Sequence, residues 1–323
     1  GPQARIKSGG VRHESLSIGV VLIVTMRRYS GDYVLTTRCS GEEVMKIGVY
    51  MFPTEYSMPL VDLAVALEER GFESLFVPEH THIPSSRQTP WPGGGDLPKE
   101  YSHTLDPFVG LMAAAAATRN LRIGTGICLL TERDPIVTAK EVATLDLLSN
   151  GRFEFGIGAG WNLEEMENHG TVFDTRFRVM VDRAKAMQAI WTQDAASYHG
   201  EFTQFDAIWS WPKPVQKPHP PILLGGETKY SLRRIVEFCD GWIPRGRGFT
   251  DPQAEMARLK QFADEAGREM STLSVSLFGP RPDANYIDEC RAAGVDRALF
   301  TLPSEGKDTV LPLVDQFAQF ISG

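Results

Sequence analysis

Three observations predict a (β/α)8 TIM barrel with long insertions in its βα loops. From Met45 onward, strand-like apolar runs alternate with helical segments eight times, which implies parallel pairing and a closed barrel. No G-x-G-x-x-G follows the first run, where Gly48-Val49-Tyr50-Met51 stands instead, and this disfavours the competing doubly wound open sheet. Finally, 323 residues at 42% hydrophobic suffice for one large core, and α/β barrels commonly reach this size as one domain.

In chain order, Lys46–Met51 reads as a strand and Pro59–Arg70 as a helix closed by Gly71. Ser74–Val77 is the second strand, followed by a Pro/Gly-rich loop from Pro78 to Thr104. Asp106-Pro107 opens an alanine-rich helix with Asp at the N-cap and Pro at the first helical position. Arg122–Leu130 is the third strand. Asp134-Pro135 opens the next helix, which Asn150-Gly151 ends. Phe153–Ile157 and the helix Asp174–Trp191 follow, and then a polar, aromatic loop from Thr192 to Pro220 with a small hairpin over Tyr198–Phe205. Ile222–Leu224, Gly241–Ile243, Leu273–Leu277 and Ala298–Leu302 complete the strands. Helices fit at Ser231–Phe238, Pro252–Ala266, Asp283–Ala293 and Thr309–Ile321.

Residues 1–44 stand apart. Leu16 to Met26 is apolar but too short to span a bilayer, and it lacks the small-residue cleavage site of a signal peptide. Val20–Thr25 and Tyr33–Thr37 read as a strand pair around Ser30-Gly31-Asp32. Gly1-Pro2 resembles the scar of a removed tag, so 1–44 is expected to be a non-catalytic extension, and 45–323 the barrel domain.

A net charge of −8 disfavours nucleic acid as a partner, because phosphate binding needs clustered cations. Cys39, Cys128, Cys239 and Cys290 are far apart without C-x-x-C spacing, which argues against zinc and disulfides and for a reducing, cytoplasmic setting. No membrane partner is expected.

Barrel chemistry belongs on the loops that follow strand C-termini. Glu79-His80-Thr81-His82 ends the second strand. An extended H-x-H can chelate a metal, but the further His and Asp ligands of barrel hydrolases are missing from the later strand ends. The alternatives are a hydrogen-bonded structural histidine, or His80 as proton donor or acceptor beside a bound ring. Gly124-Thr125-Gly126 interrupts a β-branched strand, so either a bulge, a close ligand or small-residue packing is expected. Gly156, Gly158 and Gly160 let a flat ring or phosphate approach the backbone, and Trp161 could wall a pocket.

Gly225-Gly226-Glu227-Thr228 leads into a helix and forms a candidate phosphate seat. Lys229, Arg233, Arg234, Arg245 and Arg247 follow it as a local cationic cluster, either a solvated helix face or a seat for phosphate and carboxylates. The loop Pro78–Thr104 is long enough to be a lid, with Trp91 and Tyr101 as possible walls.

Taken together, these residues resemble the bacterial luciferase-like monooxygenase superfamily, in particular its deazaflavin (coenzyme F420)-dependent branch. The resemblance covers nearly all of Met45 to Gly323 and is most specific over LRIGTGICLLTERDPIVTAKEVATLDLLSNGRFEFGIGAGW, Leu121 to Trp161, with support from FESLFVPEH and PILLGGE. It implies a bacterial luciferase-like barrel with a flat redox cofactor across its C-terminal mouth. It also implies a cis peptide behind the ring at Gly126–Ile127. His80 and Glu79 would act in proton handling. Gly158, Ala159, Gly160 and Trp161 would line the cofactor, and Gly225, Gly226 and Glu227 with Arg234 and Arg245 would hold its phosphate and acidic tail.

One departure matters. The family's sugar-phosphate dehydrogenases carry a glutamate after the Gly-x-Gly turn, whereas Trp161 stands here, which disfavours hexose phosphates. The expectation is a coenzyme F420-dependent oxidoreductase acting on a small organic substrate, paired as a homodimer, with an FMN-dependent monooxygenase as the alternative. A metal-dependent barrel hydrolase is the rival from another class.

Overall fold

Several helix starts in this chain are set by short acidic side chains. In the computed structural model, which describes residues 21–29, 32–40 and 45–321, with side chains over 45–321, Asp106 accepts from Val109 N–H at 2.9 Å and Asp134 from Ile136 and Val137 N–H. Asp251 and Asp283 act likewise, and each satisfies donors that the first helical turn leaves free.

Two backbone segments, β1 (Val21–Tyr29) and β2 (Asp32–Ser40), pair antiparallel. The turn residues Ser30 and Gly31 lie outside the described residues. Residues 45–323 form a separate unit.

That unit is a closed barrel. Its strands are β3 (Lys46–Tyr50), β4 (Ser74–Val77), β5 (Arg122–Thr125) with β6 (Cys128–Leu129), β7 (Phe153–Gly158), β10 (Ile222–Gly225), β11 (Gly241–Ile243), β12 (Ser274–Phe278) and β13 (Arg297–Thr301). All neighbours pair in parallel, and β10 pairs with β7 to close the ring. The hairpin β8 (Ala196–His199) and β9 (Gln204–Ile208) lies between β7 and β10 in the chain.

The helices are α1 (Leu60–Glu69), α2 (Pro107–Ala117), α3 (Pro135–Leu148), α4 (Leu163–Asn168), α5 (Arg176–Thr192), α6 (Lys229–Phe238), α7 (Pro252–Glu265), α8 (Ala284–Ala293) and α9 (Lys307–Ala318). Strands read as continuous apolar runs because both faces are buried: β4 and β7 have no exposed position.

One expectation needs correction. The third strand is not continuous from Arg122 to Leu130. Its pairing breaks at the cis peptide Gly126–Ile127. Gly124 is a packing position, since a Cβ there would stand 2.4 Å from the Phe76 ring inside the barrel. The segment between β7 and α5 also holds a short helix, α4.

The bottom of the barrel is held by ions rather than apolar packing. Arg297 donates to both oxygens of Glu73 and both of Glu154, and Arg122 donates to Glu154 at 2.6 Å. Burial opposes ionisation of Glu154, but the two guanidiniums outweigh it and hold its carboxyl at about 2.

Candidate active site

Glycine backbone makes the floor of a cavity at the mouth of the barrel. At the C-terminal ends of the strands lies a space of about 540 Å³, within the range of small-molecule sites. A Cβ at Gly158 would stand 2.6 Å from Ile127 Cδ1, and one at Gly126 would stand 2.7 Å from the Phe278 ring. No larger residue fits at either place without displacing a neighbour, so a flat ligand can lie against main chain and Ile127.

The walls are aromatic. Tyr50 stacks on Phe278 with centroids 3.9 Å apart. His80 lies 5.2 Å from Tyr101 and 5.8 Å from Trp161, and Trp91 meets Tyr101 edge-on at 5.8 Å. Trp91 and Tyr101 come from the loop expected as a lid, and both line the cavity. Burial pushes the Tyr101 phenol up, so it stays a neutral donor.

His80 is held from behind. Its Nδ1 is 2.7 Å from Glu165 Oε2, and Glu165 is fully buried. Glu165 Oε1 accepts the Thr81 N–H at 3.1 Å, and its own N–H donates to the N-cap Asn162. The carboxylate is therefore fixed at both ends, and it fixes the imidazole. His80 Nε2 has no partner among the described residues, while the ring lines the cavity.

Glu79 does not touch His80. It accepts from Leu129 N–H at 2.7 Å and Arg133 Nε at 2.6 Å, tying β4 to the break in the third strand. Arg133 also reaches Asp106 and Glu141.

A second buried acid stands behind Glu165. Burial pushes the Glu132 carboxyl up to about 9, and the nearby charges of Glu165 and Glu79 act in the same direction. Its Oε2 is buried without a hydrogen-bond partner among the described residues.

At the opposite end of the cavity, Gly225, Gly226, Arg245 and Arg247 form the rim. Arg245 is committed to Glu227 through Nε at 2.9 Å and a second nitrogen at 2.7 Å. Burial opposes ionisation of Glu227, but these bonds outweigh it and keep its carboxyl low. Arg247 forms no ion pair among the described residues and remains open to solvent.

Of the residues expected at the site, Glu79, His80, Gly126, Ile127, Gly158, Gly160, Trp161, Gly225, Gly226 and Arg245 line this one cavity. Ala159, Glu227 and Arg234 do not. Ala159 gives its carbonyl to Thr131, and Arg234 lies 4.9 Å over the Phe177 ring and donates to Tyr230 O. His82 bonds Asn168 at 2.9 Å rather than sharing a ligand with His80, and no metal-holding group of three side chains occurs among the described residues.

Sequence reasoning missed Glu165, Glu132, Tyr50 and Phe278. A signal for Glu165 was present: Asn162 followed three residues later by a glutamate is a capping-box pattern. Here the glutamate serves the histidine instead of the cap.

The sequence pattern of the luciferase-like monooxygenase family matches residues 45–293. A protein of Mycobacterium tuberculosis is 38% identical over 278 residues, covering 85% of this chain and 98% of its own. An FMNH(2)-dependent dimethylsulfone monooxygenase of Pseudomonas putida is 30% identical over 169 residues, 51% of this chain and 46% of that one. Among solved structures, the coenzyme F420-dependent tetrahydromethanopterin reductase of Methanopyrus kandleri superposes with TM-score 0.67 at 16% identity, covering 86% of this chain and 98% of that one. An F420-dependent secondary alcohol dehydrogenase, solved with an F420–acetone adduct, gives 0.68 at 17% identity, with the same coverage.

Proposed function

The chain belongs to the luciferase-like monooxygenase family, and on that footing we propose that it is a coenzyme F420-dependent oxidoreductase that moves a hydride between the deazaflavin and a small organic substrate. Membership carries the redox class: the chain is an oxidoreductase of the flavin or deazaflavin type.

The observation that carries the proposal is His80. Its Nδ1 is bound by a buried carboxylate, and its other nitrogen is unpartnered at the wall of a cavity floored by glycine backbone. A bound deazaflavin supplies or accepts a hydride at its ring carbon, without needing oxygen. A hydride transfer to or from a carbonyl, imine or alkene needs one proton at the neighbouring atom, and His80 Nε2 is placed to give or take it.

The floor residues fit a flat ring. Gly158 and the Gly126–Ile127 peptide would support one face, and Trp161 and Tyr101 would exclude water. Gly225 and Gly226 would accept the phosphate, and Arg247 the acidic tail. The aromatic wall fits a flat or apolar substrate.

FMN with oxygen is the second reading, favoured by one feature. Glu227 neutralises Arg245, so Arg247 remains as the rim cation without an ion pair, and a single phosphate needs no more.

Titration with coenzyme F420 and with FMN, each followed by ring fluorescence, tests the assignment. Preference for deazaflavin, weakened about tenfold or more by Arg247→Ala, supports hydride transfer. Preference for FMN moves the chain to the oxygen-using branch, and binding of neither overturns the redox site.

A further inference from the structure

Glu227 follows the candidate phosphate seat Gly225-Gly226 directly, and its carboxylate is bound on both oxygens. Oε1 accepts the Arg245 main-chain N–H at 3.0 Å and its Nε at 2.9 Å, while Oε2 accepts a second guanidinium nitrogen at 2.7 Å. The acid thus sits behind Arg245, which lines the cavity where Glu227 does not. Arg258 of α7 donates to the Glu227 main-chain carbonyl at 2.7 Å and pairs with Glu255 at 3.1 Å. Two of the arginines facing Glu227 are therefore matched by carboxylates, and Arg247 adds the remaining positive charge.

We propose that Glu227 is the specificity-determining residue of this rim: its carboxylate makes the seat select a phosphodiester, with one negative charge, over a phosphomonoester, with two. This selectivity rests on the proposed function, which puts a phosphate at Gly225-Gly226. A fixed carboxylate lowers the potential at the seat, and the resulting penalty is proportional to ligand charge, so a dianion loses twice the free energy that a monoanion loses. Counting cations does not separate the two cofactors, because one free arginine can serve either phosphate. Charge does separate them, since the phosphate of coenzyme F420 is a diester and that of FMN a monoester.

A Glu227 that only anchored the backbone would act differently. Through Arg245 it holds the start of the 3-10 turn Gly246–Gly248, which carries Arg247. Losing that anchor would weaken every ligand alike, whatever its charge.

The pH dependence also differs. Burial opposes ionisation of Glu227, but the Arg245 hydrogen bonds and the charges of Arg245 and Arg247 outweigh it, so the carboxyl is still ionised at pH 5. A phosphomonoester takes up its second proton near a pKa of about 6, so at pH 5 it carries little more than one charge. The selectivity should then fade although Glu227 has not changed.

Three ligands on one ring test this: riboflavin, the methyl ester of FMN, and FMN, which carry no, one and two phosphate charges. The same three are made on the deazaflavin ring, and each is titrated by ring fluorescence at pH 8 and pH 5. At pH 8 Glu227→Gln should leave the uncharged alcohol unchanged, tighten the diester about threefold and tighten the monoester about tenfold. At pH 5 the monoester should gain only about as much as the diester. Glu227→Asp, which keeps the charge, should keep the wild-type ratio of diester to monoester affinity. Equal changes for all three ligands in Glu227→Gln, or a monoester gain as large at pH 5 as at pH 8, would overturn the selectivity and leave Glu227 an anchor. A ring that binds while the ratio stays fixed in Glu227→Gln defeats the selectivity alone, whereas wild-type protein that binds neither ring in any form defeats the proposed function and the selectivity with it.

Discussion

Replacing Glu132 by glutamine should change how stability depends on pH. In the folded protein the carboxyl titrates at about 9, against an ordinary value of 4.5. The folded state therefore holds a proton that the unfolded chain has lost. A carboxyl raised in this way contributes its full stability below about 4.5, and loses it as pH rises towards 9. Each pH unit in that window removes about 1.4 kcal/mol. Between pH 5 and pH 8 the wild-type protein should thus lose about 4 kcal/mol relative to Glu132→Gln. Glutamine is close to glutamate in size and cannot ionise, so the variant removes the titration. Urea unfolding followed by near-ultraviolet circular dichroism at pH 5, 6, 7 and 8 measures the difference. Stability curves that run parallel across this range would refute the reasoning, because they would mean that Glu132 is ionised in the folded state.

Three further outcomes are expected. Arg297→Met leaves Glu154 buried with Arg122 alone, so it should cost about 3–5 kcal/mol in urea unfolding. Because the Glu154 carboxyl is held at about 2, its contribution is present above about 4.5 and lost as pH falls through 2, so the variant should acid-unfold at a higher pH than wild type. Gly158→Ala pushes against Ile127 Cδ1, the flexible end of a side chain, so the protein should fold while the displaced isoleucine weakens deazaflavin binding about tenfold in a fluorescence titration.

Much of the barrel was legible because parallel strands buried on both faces must be apolar, and helix starts need a side-chain acceptor. Asp106, Asp134, Asp251 and Asp283 all cap where the sequence places a helix start. The break in the third strand was not legible as a break from composition alone. Gly124-Thr125-Gly126 permits a bulge, a close ligand or small-residue packing; the strand breaks there at the cis Gly126–Ile127 bond that the resemblance implied, and Phe76 and Phe278 pack against the two glycines. The cationic cluster was misleading for a physical reason. Arginines close in sequence point different ways from a helix and a strand end, so Arg234 stacks on Phe177 while Arg245 pairs with Glu227. His80 and the glycines were found because strand ends carry barrel chemistry. Glu132 was missed because a buried acid is a property of tertiary packing, and Glu165 because its capping-box pattern marks a helix start, not a partner for His80.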